Sequence, residues 1–136
     1  KIDASDFDGN AATQKTVTFK IDTVPPTLSI TAPADKLVTN KTAVTVTGTT
    51  NDATSSPVTV TVKLNSGTAE TVTVGSDGTF SKALTLVTGT NTITVVAKDS
   101  AGKTTTVTRT VTVDTTAPVI KSVTINPNPV DCGKTM

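Results

Sequence analysis

Apolar and polar residues alternate along most of this chain, which is the pattern of strands that bury one face. The alternation predicts seven strands in the central part of the sequence. In chain order they cover residues 27–31, 43–48, 58–64, 70–74, 79–86, 91–98 and 104–114. A further alternating stretch, residues 15–21, precedes them. No helical periodicity competes with these segments, so we expect an all-β chain.

Turn-forming residues separate these strands at short intervals. Examples are Asn51-Asp52, residues 65–67 (Asn-Ser-Gly) and residues 75–78 (Gly-Ser-Asp-Gly). Residues 32–42 are predicted to form a polar loop. Short alternating strands joined by such turns are typical of an antiparallel β-sandwich, and we expect about seven strands in two sheets.

The inward positions are nearly all aliphatic, and Phe80 is the single aromatic residue among them. Two charged residues interrupt the apolar phase. At Arg109 we expect a β-bulge, an edge position or a snorkelling side chain, whose aliphatic part is buried while the guanidinium reaches solvent. Lys82 interrupts the phase of its strand in the same way.

One short segment occurs twice. Residues 22–26 (Asp-Thr-Val-Pro-Pro) and residues 114–118 (Asp-Thr-Thr-Ala-Pro) each follow an alternating stretch, and 92 residues separate the two copies. Repetition of this kind indicates tandem units. Proline fixes its own backbone and restricts the residue before it, so each copy is predicted to be a short, semi-rigid joint.

The joints divide the chain into three predicted parts. Residues 1–25 would be the C-terminal strands of a preceding repeat with its joint, residues 26–115 a complete β-sandwich, and residues 116–136 the first strand of a following repeat. Neighbouring repeats of the same polypeptide are therefore the expected partners. Unpaired strands at both ends also raise the hypothesis of strand exchange into a filament or lattice.

Composition excludes several classes of function. Threonine makes up about a quarter of the residues, which favours strands. The net charge of +1 and the scattered lysines indicate no nucleic-acid partner, and no apolar run is long enough to span a membrane. The chain contains no His, Trp or Tyr. Without a histidine base Cys132 is a poor nucleophile, and we expect no enzymatic activity.

Four aspartates form the candidate metal site. If the strands run antiparallel, the loops that carry Asp52, Asp77 and Asp99 lie at the pole where the first strand begins, next to Asp22. Clustered carboxylates together with backbone carbonyls could supply the oxygen ligands that Ca²⁺ requires. The competing interpretation is that these residues only cap turns and need no ion. Both interpretations stay open, and calcium is the one cofactor that the sequence suggests.

Several segments together resemble a known family. They include residues 77–80 (Asp-Gly-Thr-Phe), 89–95 (Gly-Thr-Asn-Thr-Ile-Thr-Val), 97–103 (Ala-Lys-Asp-Ser-Ala-Gly-Lys) and the joint at 113–118. They are similar to the bacterial immunoglobulin-like repeats of large secreted and cell-surface proteins, of the surface-layer, adhesin or extracellular-enzyme accessory type. Lys103 departs from the asparagine usual after the loop glycine, which the upstream copy retains as Asn10.

The resemblance implies an immunoglobulin-like sandwich in tandem repeats and an extracellular or cell-surface location. It favours a structural function, a non-catalytic spacer that holds domains in an extended array. The alternative is an adhesin or a carbohydrate-binding accessory module of a secreted polysaccharide-degrading enzyme. The absence of Trp and Tyr weakens that alternative, since aromatic rings usually anchor such ligands.

Overall fold

The computed structural model describes residues 9, 17–19, 21–52 and 55–125, and these residues form an all-β structure. Its strands are β1 (Thr27–Ala32), β2 (Leu37–Thr39), β3 (Ala43–Asn51), β4 (Thr59–Leu64), β5 (Glu70–Val72), β6 (Thr79–Thr85), β7 (Gly89–Lys98) and β8 (Thr104–Val113). They make a three-stranded sheet in the order β1-β3-β6 and a five-stranded sheet in the order β2-β8-β7-β4-β5. In the part of the chain so described, no helix is long and apolar enough to cross a membrane.

The core lies between the two sheets and is built from the predicted inward positions. Val46 of the smaller sheet and Val60, Ile93, Val95 and Val111 of the larger one are completely buried. Each belongs to an alternating stretch in which the intervening threonines stay at the surface or half-buried. Burial of such aliphatic side chains contributes about 1.5–3 kcal/mol each before chain entropy is subtracted. The predicted all-β sandwich is therefore confirmed.

The strand count departs from the prediction at β2. Residues 32–42 are predicted to be a polar loop, but within them Leu37–Thr39 pair in parallel with Val111–Val113. The two apolar residues of this segment, Leu37 and Val38, are adjacent and so show no alternation, and its partner strand lies far along the chain. The sheets therefore contain eight strands among the described residues, and one pair is parallel rather than antiparallel.

Arg109 lies where β8 has an open edge. The β2 strand covers β8 only from Val111 onward, so the Arg109 side chain can pass the sheet edge toward β1. There its Nη2 donates a hydrogen bond of 3.3 Å to the carbonyl oxygen of Ile30. The register of β1 against β3 shifts between Ile30 and Ala32, so the bulge lies in β1 and not in β8. Of the three expectations for Arg109, the edge position describes the structure.

Lys82 occupies an inward position of β6, and its side chain contacts a residue of the other sheet. Its Nζ lies 2.6 Å from Oε2 of Glu70 on β5. The strands β6 and β5 are the last strands of their respective sheets, so this ion pair bridges the two sheets along one side of the sandwich. Because Glu70 is largely exposed, the pair contributes no more than about 1 kcal/mol.

The register places the beginning of β1 and the end of β8 at opposite poles. Thr27 pairs with Asn51 at one end, which we call the N-terminal pole. The turn from β7 to β8 lies there too, because Lys98 pairs with both Thr59 and Thr104. At the other end Val113 pairs with Gly89. The chain therefore enters the sandwich at one pole and leaves it at the other.

The flanking segments form no strands where they are described, at residues 17–19, 21–26 and 114–125. Their apolar side chains are largely exposed: Phe19 is 78%, Ile21 76% and Val119 82% accessible. The rest of the predicted strand at 15–21, Asn10, the remainder of the predicted third repeat and Cys132 lie outside the described residues. The assignment of both flanks to neighbouring repeats stays a prediction.

Candidate metal centre

Three aspartates meet at the N-terminal pole. Asp22 lies in the joint before β1, Asp52 directly follows β3, and Asp99 directly follows β7. One carboxylate oxygen from each lies within 4.8 Å of the other two. Three of the four aspartates that the sequence analysis singled out are thus brought together, and we call them the carboxylate cluster.

Each member of the cluster is oriented by a local backbone bond to its Oδ1 atom. The amide of Val24 donates to Asp22 at 3.0 Å, that of Ser55 to Asp52 at 2.9 Å, and that of Lys103 to Asp99 at 2.8 Å. Aspartate favours turns because its short side chain can accept such bonds. The turns that close these loops therefore also fix the direction of the three carboxylates.

The two loops that carry Asp52 and Asp99 are tied to each other. The hydroxyls of Ser55 and Ser100 are 2.8 Å apart, and the amide of Ser100 donates to the carbonyl of Ser55 at 3.3 Å. This serine pair was not predicted from the sequence. The only available signal was the position of each serine close to a cluster aspartate, and serine is too common in turns for that to be specific.

The joint is tied to the same pole. The hydroxyl of Thr105, in β8, donates to the carbonyl of Pro26 at 2.5 Å. Pro26 is itself fully buried, which places the end of the joint inside the sandwich rather than on a free tether. Asp22, four residues earlier and half-buried, is therefore held close to the β7–β8 turn.

Burial distinguishes two members of the cluster from ordinary turn aspartates. Asp99 is 4% exposed and Asp52 is 8% exposed. The Oδ2 atom of Asp99 is buried and has no hydrogen-bond partner among the described residues. An ionised carboxylate oxygen withdrawn from water is costly unless it is paired or coordinates a cation. The Oδ2 atom of Asp99 is therefore a buried acceptor that lacks a partner among the described residues.

Asp77 lies at this pole but outside the carboxylate cluster. Its Oδ1 accepts hydrogen bonds from the hydroxyl of Thr79 at 2.7 Å and from the Thr79 amide at 3.1 Å. The Thr79 hydroxyl, followed by its amide, holds the pKa of Asp77 below the ordinary value. Asp77 thus closes the β5–β6 turn, which is what the capping interpretation predicts.

A polar surface cavity of about 580 Å³ adjoins the carboxylate cluster. Its wall includes Asp52, Asn51 and Ser56 on one side and Asp77 on the other. The oxygen-rich lining and the open shape suit a hydrated or hydroxyl-bearing ligand better than an apolar one.

Comparison with known proteins gives a family and a fold. The sequence model of the family described as Glucodextranase, domain B, matches residues 26–115. No curated protein matches the chain by sequence. Among solved structures, the fibronectin(III)-like modules of Clostridium thermocellum CbhA match with a TM-score of 0.50 at 22% identity, over 79% of this chain and 56% of that one. An engineered protein solved by a structural genomics consortium matches with a TM-score of 0.50 at 24% identity, over 64% of this chain and 20% of that one.

These matches agree with a bacterial immunoglobulin-like domain and with a β-sandwich. The family model matches residues 26–115, the same bounds that the repeated joints predict for the complete sandwich. At this identity the structural neighbours establish the fold alone. This chain spans only about a fifth and about a half of the two solved chains.

Proposed function

Because the chain belongs to the glucodextranase domain B family, we propose that it is a non-catalytic immunoglobulin-like module of an extracellular bacterial protein. Its family is named after one domain of an enzyme, and the solved neighbour from Clostridium thermocellum is described as a module. The family name favours an accessory domain of a secreted enzyme over a surface-layer or adhesin repeat. In this proposal the substrate chemistry belongs to another domain.

A spacer function is supported by one geometric observation: the chain enters the sandwich at one pole and leaves it at the other. A module of this kind separates the domains before and after it by its own length. Strand β8 has ten residues, and a strand rises about 3.3 Å per residue, so each module would add about 33 Å. The buried Pro26 limits the freedom of the joint at the beginning of the module.

Small-angle X-ray scattering tests the spacer function. In a tandem protein, Asp114 of a first unit is joined directly to Thr23 of a second, which preserves the repeat length. We expect the maximum dimension to exceed that of one unit by about 33 Å. A tandem in which the two sandwiches pack side by side, with little increase in maximum dimension, would contradict the proposal.

The polar cavity at the N-terminal pole favours a second candidate function, carbohydrate binding by an accessory module. The cavity presents hydroxyl, amide and carboxylate groups that can bond to sugar hydroxyls. A glycan array tests it: enrichment of one polysaccharide class by the native chain, lost in Asn51→Ala, would support binding at the cavity. The array should be repeated with Asn65→Ala as a control, because Asn65 does not line this cavity.

A further inference from the structure

The geometry points to one calcium ion held by Asp22, Asp52 and Asp99, and we propose that this ion fastens the joint to the sandwich. The three ligands come from three separate segments: the residues before β1, the β3–β4 loop and the β7–β8 loop. A shared ion would therefore link three segments that lie far apart in the sequence.

The separation of the carboxylate oxygens fits a single ion. Calcium binds oxygen at about 2.3–2.6 Å, so two oxygens on the same ion lie at most about 5 Å apart. The three oxygens of the cluster lie within 4.8 Å of one another. Even at that limiting separation a central point lies only about 2.8 Å from each oxygen, so small side-chain movements bring all three within the calcium–oxygen distance.

The buried Oδ2 of Asp99 is an independent indication of a ligand. Its Oδ1 is occupied by the amide of Lys103, whereas Oδ2 is shielded from solvent and has no hydrogen-bond partner among the described residues. Three carboxylates at this separation also repel one another, most strongly where solvent is excluded. A bound cation supplies the missing partner for Asp99 and offsets the repulsion within the cluster.

The chemistry of the ligands selects a hard cation. The cluster consists of carboxylates alone, and the sequence contains no histidine. Carboxylate and carbonyl oxygens suit Ca²⁺ and Mg²⁺, whereas nitrogen and sulfur ligands select zinc and copper. Three carboxylates from loops that differ in length give an adaptable site, which suits the variable coordination of Ca²⁺ better than the strict octahedron of Mg²⁺. Backbone carbonyls and water would complete the coordination.

Calorimetric titration of the 136-residue protein with CaCl₂ tests the site. We expect one ion per chain, and at a free concentration 100-fold above Kd a rise in melting temperature of about 10 °C. The variants Asp52→Asn and Asp99→Asn should bind calcium at least tenfold more weakly. Asparagine retains the Oδ1 acceptor that closes each loop, so the fold should survive.

Asp77→Asn is the matched control, because Asp77 lies at the same pole and also accepts a backbone bond, but it is not a member of the cluster. It should leave calcium affinity unchanged. The proposal is overturned if the native protein shows neither heat of binding nor a raised melting temperature. It is also overturned if Asp99→Asn binds as tightly as Asp77→Asn, or if MgCl₂ binds as tightly as CaCl₂.

The role of the joint has its own test. Asp22→Asn should weaken calcium binding, and hydrogen exchange at the Val24 amide, which donates to Asp22, should slow at least tenfold when calcium is added to the native protein. If Asp22→Asn leaves the affinity unchanged and calcium does not alter exchange at Val24, the ion does not hold the joint and that part of the proposal is wrong.

Discussion

Single aspartates in this protein perform two different tasks although the sequence presents them alike. Asp22, Asp77 and Asp114 each accept the backbone N–H of the residue two positions later. Asp77 and Asp114 are exposed and also accept the hydroxyl of that same residue, so both close turns. Asp52 and Asp99 are buried, and with Asp22 they form the carboxylate cluster. Position in the fold, rather than local sequence, separates the two tasks.

Three exposed aspartates whose carboxylates accept hydrogen bonds predict a loss of stability in acid. The pKa of Asp35 is lowered mainly by the Thr110 amide, and the pKa values of Asp77 and Asp114 mainly by the hydroxyls of Thr79 and Thr116. Each folded-state pKa lies below the ordinary value of 3.8. The stabilisation is therefore fully present above pH 3.8 and is lost as the pH falls through the lower folded-state values.

Asp35→Asn tests this linkage at one residue. The asparagine Oδ1 can still accept the Thr110 amide, which lies 2.9 Å from the aspartate oxygen in the native protein, but it does not titrate. Between about pH 2 and pH 5 the slope of the free energy of unfolding against pH should be smaller for the variant than for the native protein. The difference in slope should correspond to at most about one bound proton. Urea unfolding at several pH values measures the slope. Equal slopes for the variant and the native protein would contradict the linkage.

At the scale of strands and turns, the sequence predicted seven of the eight strands among the described residues, with boundaries within a few residues. Alternation was informative because one face of each strand is buried. It did not reveal β2, whose pairing with Val111–Val113 depends on a distant, parallel partner. Arg109 and Lys82 were recognised as interruptions, but their partners, Ile30 and Glu70, follow only from the packing of one sheet on the other.

For the candidate site, the sequence predicts which loops meet at one pole but not the contacts and burial of each carboxylate. Antiparallel topology was enough to place Asp22, Asp52 and Asp99 at one pole, because the loops that join alternate strands lie at the same end. It could not exclude Asp77, whose loop is at that pole but whose carboxylate is engaged by Thr79. It also could not predict that Oδ2 of Asp99 is buried, since burial depends on how closely neighbouring loops pack.

The β5–β6 turn packs closely against β3, and the contact of Gly78 with Thr50 can be tested by substitution. Gly78 has a φ of 80°, and a Cβ atom there would lie 2.3 Å from the carbonyl oxygen of Thr50 in β3. Gly78→Ala should therefore incur the cost of a left-handed backbone, about 1–2 kcal/mol, and a steric cost of about 1–3 kcal/mol more. Urea unfolding measures the total.

Gly102→Ala separates the two costs. Gly102 has a φ of 89°, but a Cβ atom added there would meet no other atom within 4 Å, so only the backbone cost applies. We expect Gly78→Ala to be the more destabilising of the two substitutions by about 1–3 kcal/mol. If both variants unfold at the same urea concentration, the turn does not pack against Thr50 as closely as the structure indicates.

At the scale of the whole molecule, the two copies of the joint share one local backbone hydrogen bond but differ in their surroundings. The amide of Val24 donates to Asp22 at 3.0 Å and the amide of Thr116 donates to Asp114 at 2.9 Å. Asp22 faces Asp52 and Asp99, whereas Asp114 is exposed at the opposite pole. If the joint is a repeating element, Asp114 should acquire the role of Asp22 when a second sandwich follows it.

The tandem protein in which Asp114 precedes Thr23 of a second unit makes that idea testable, because Asp114 then occupies the position of Asp22. We expect calorimetry to find two calcium ions per tandem molecule. Asp114→Asn should weaken the second site at least tenfold, while the same substitution in the single chain leaves calcium binding unchanged. A tandem that binds one ion, or two ions irrespective of Asp114, would show that the joint does not carry a calcium site from one module to the next.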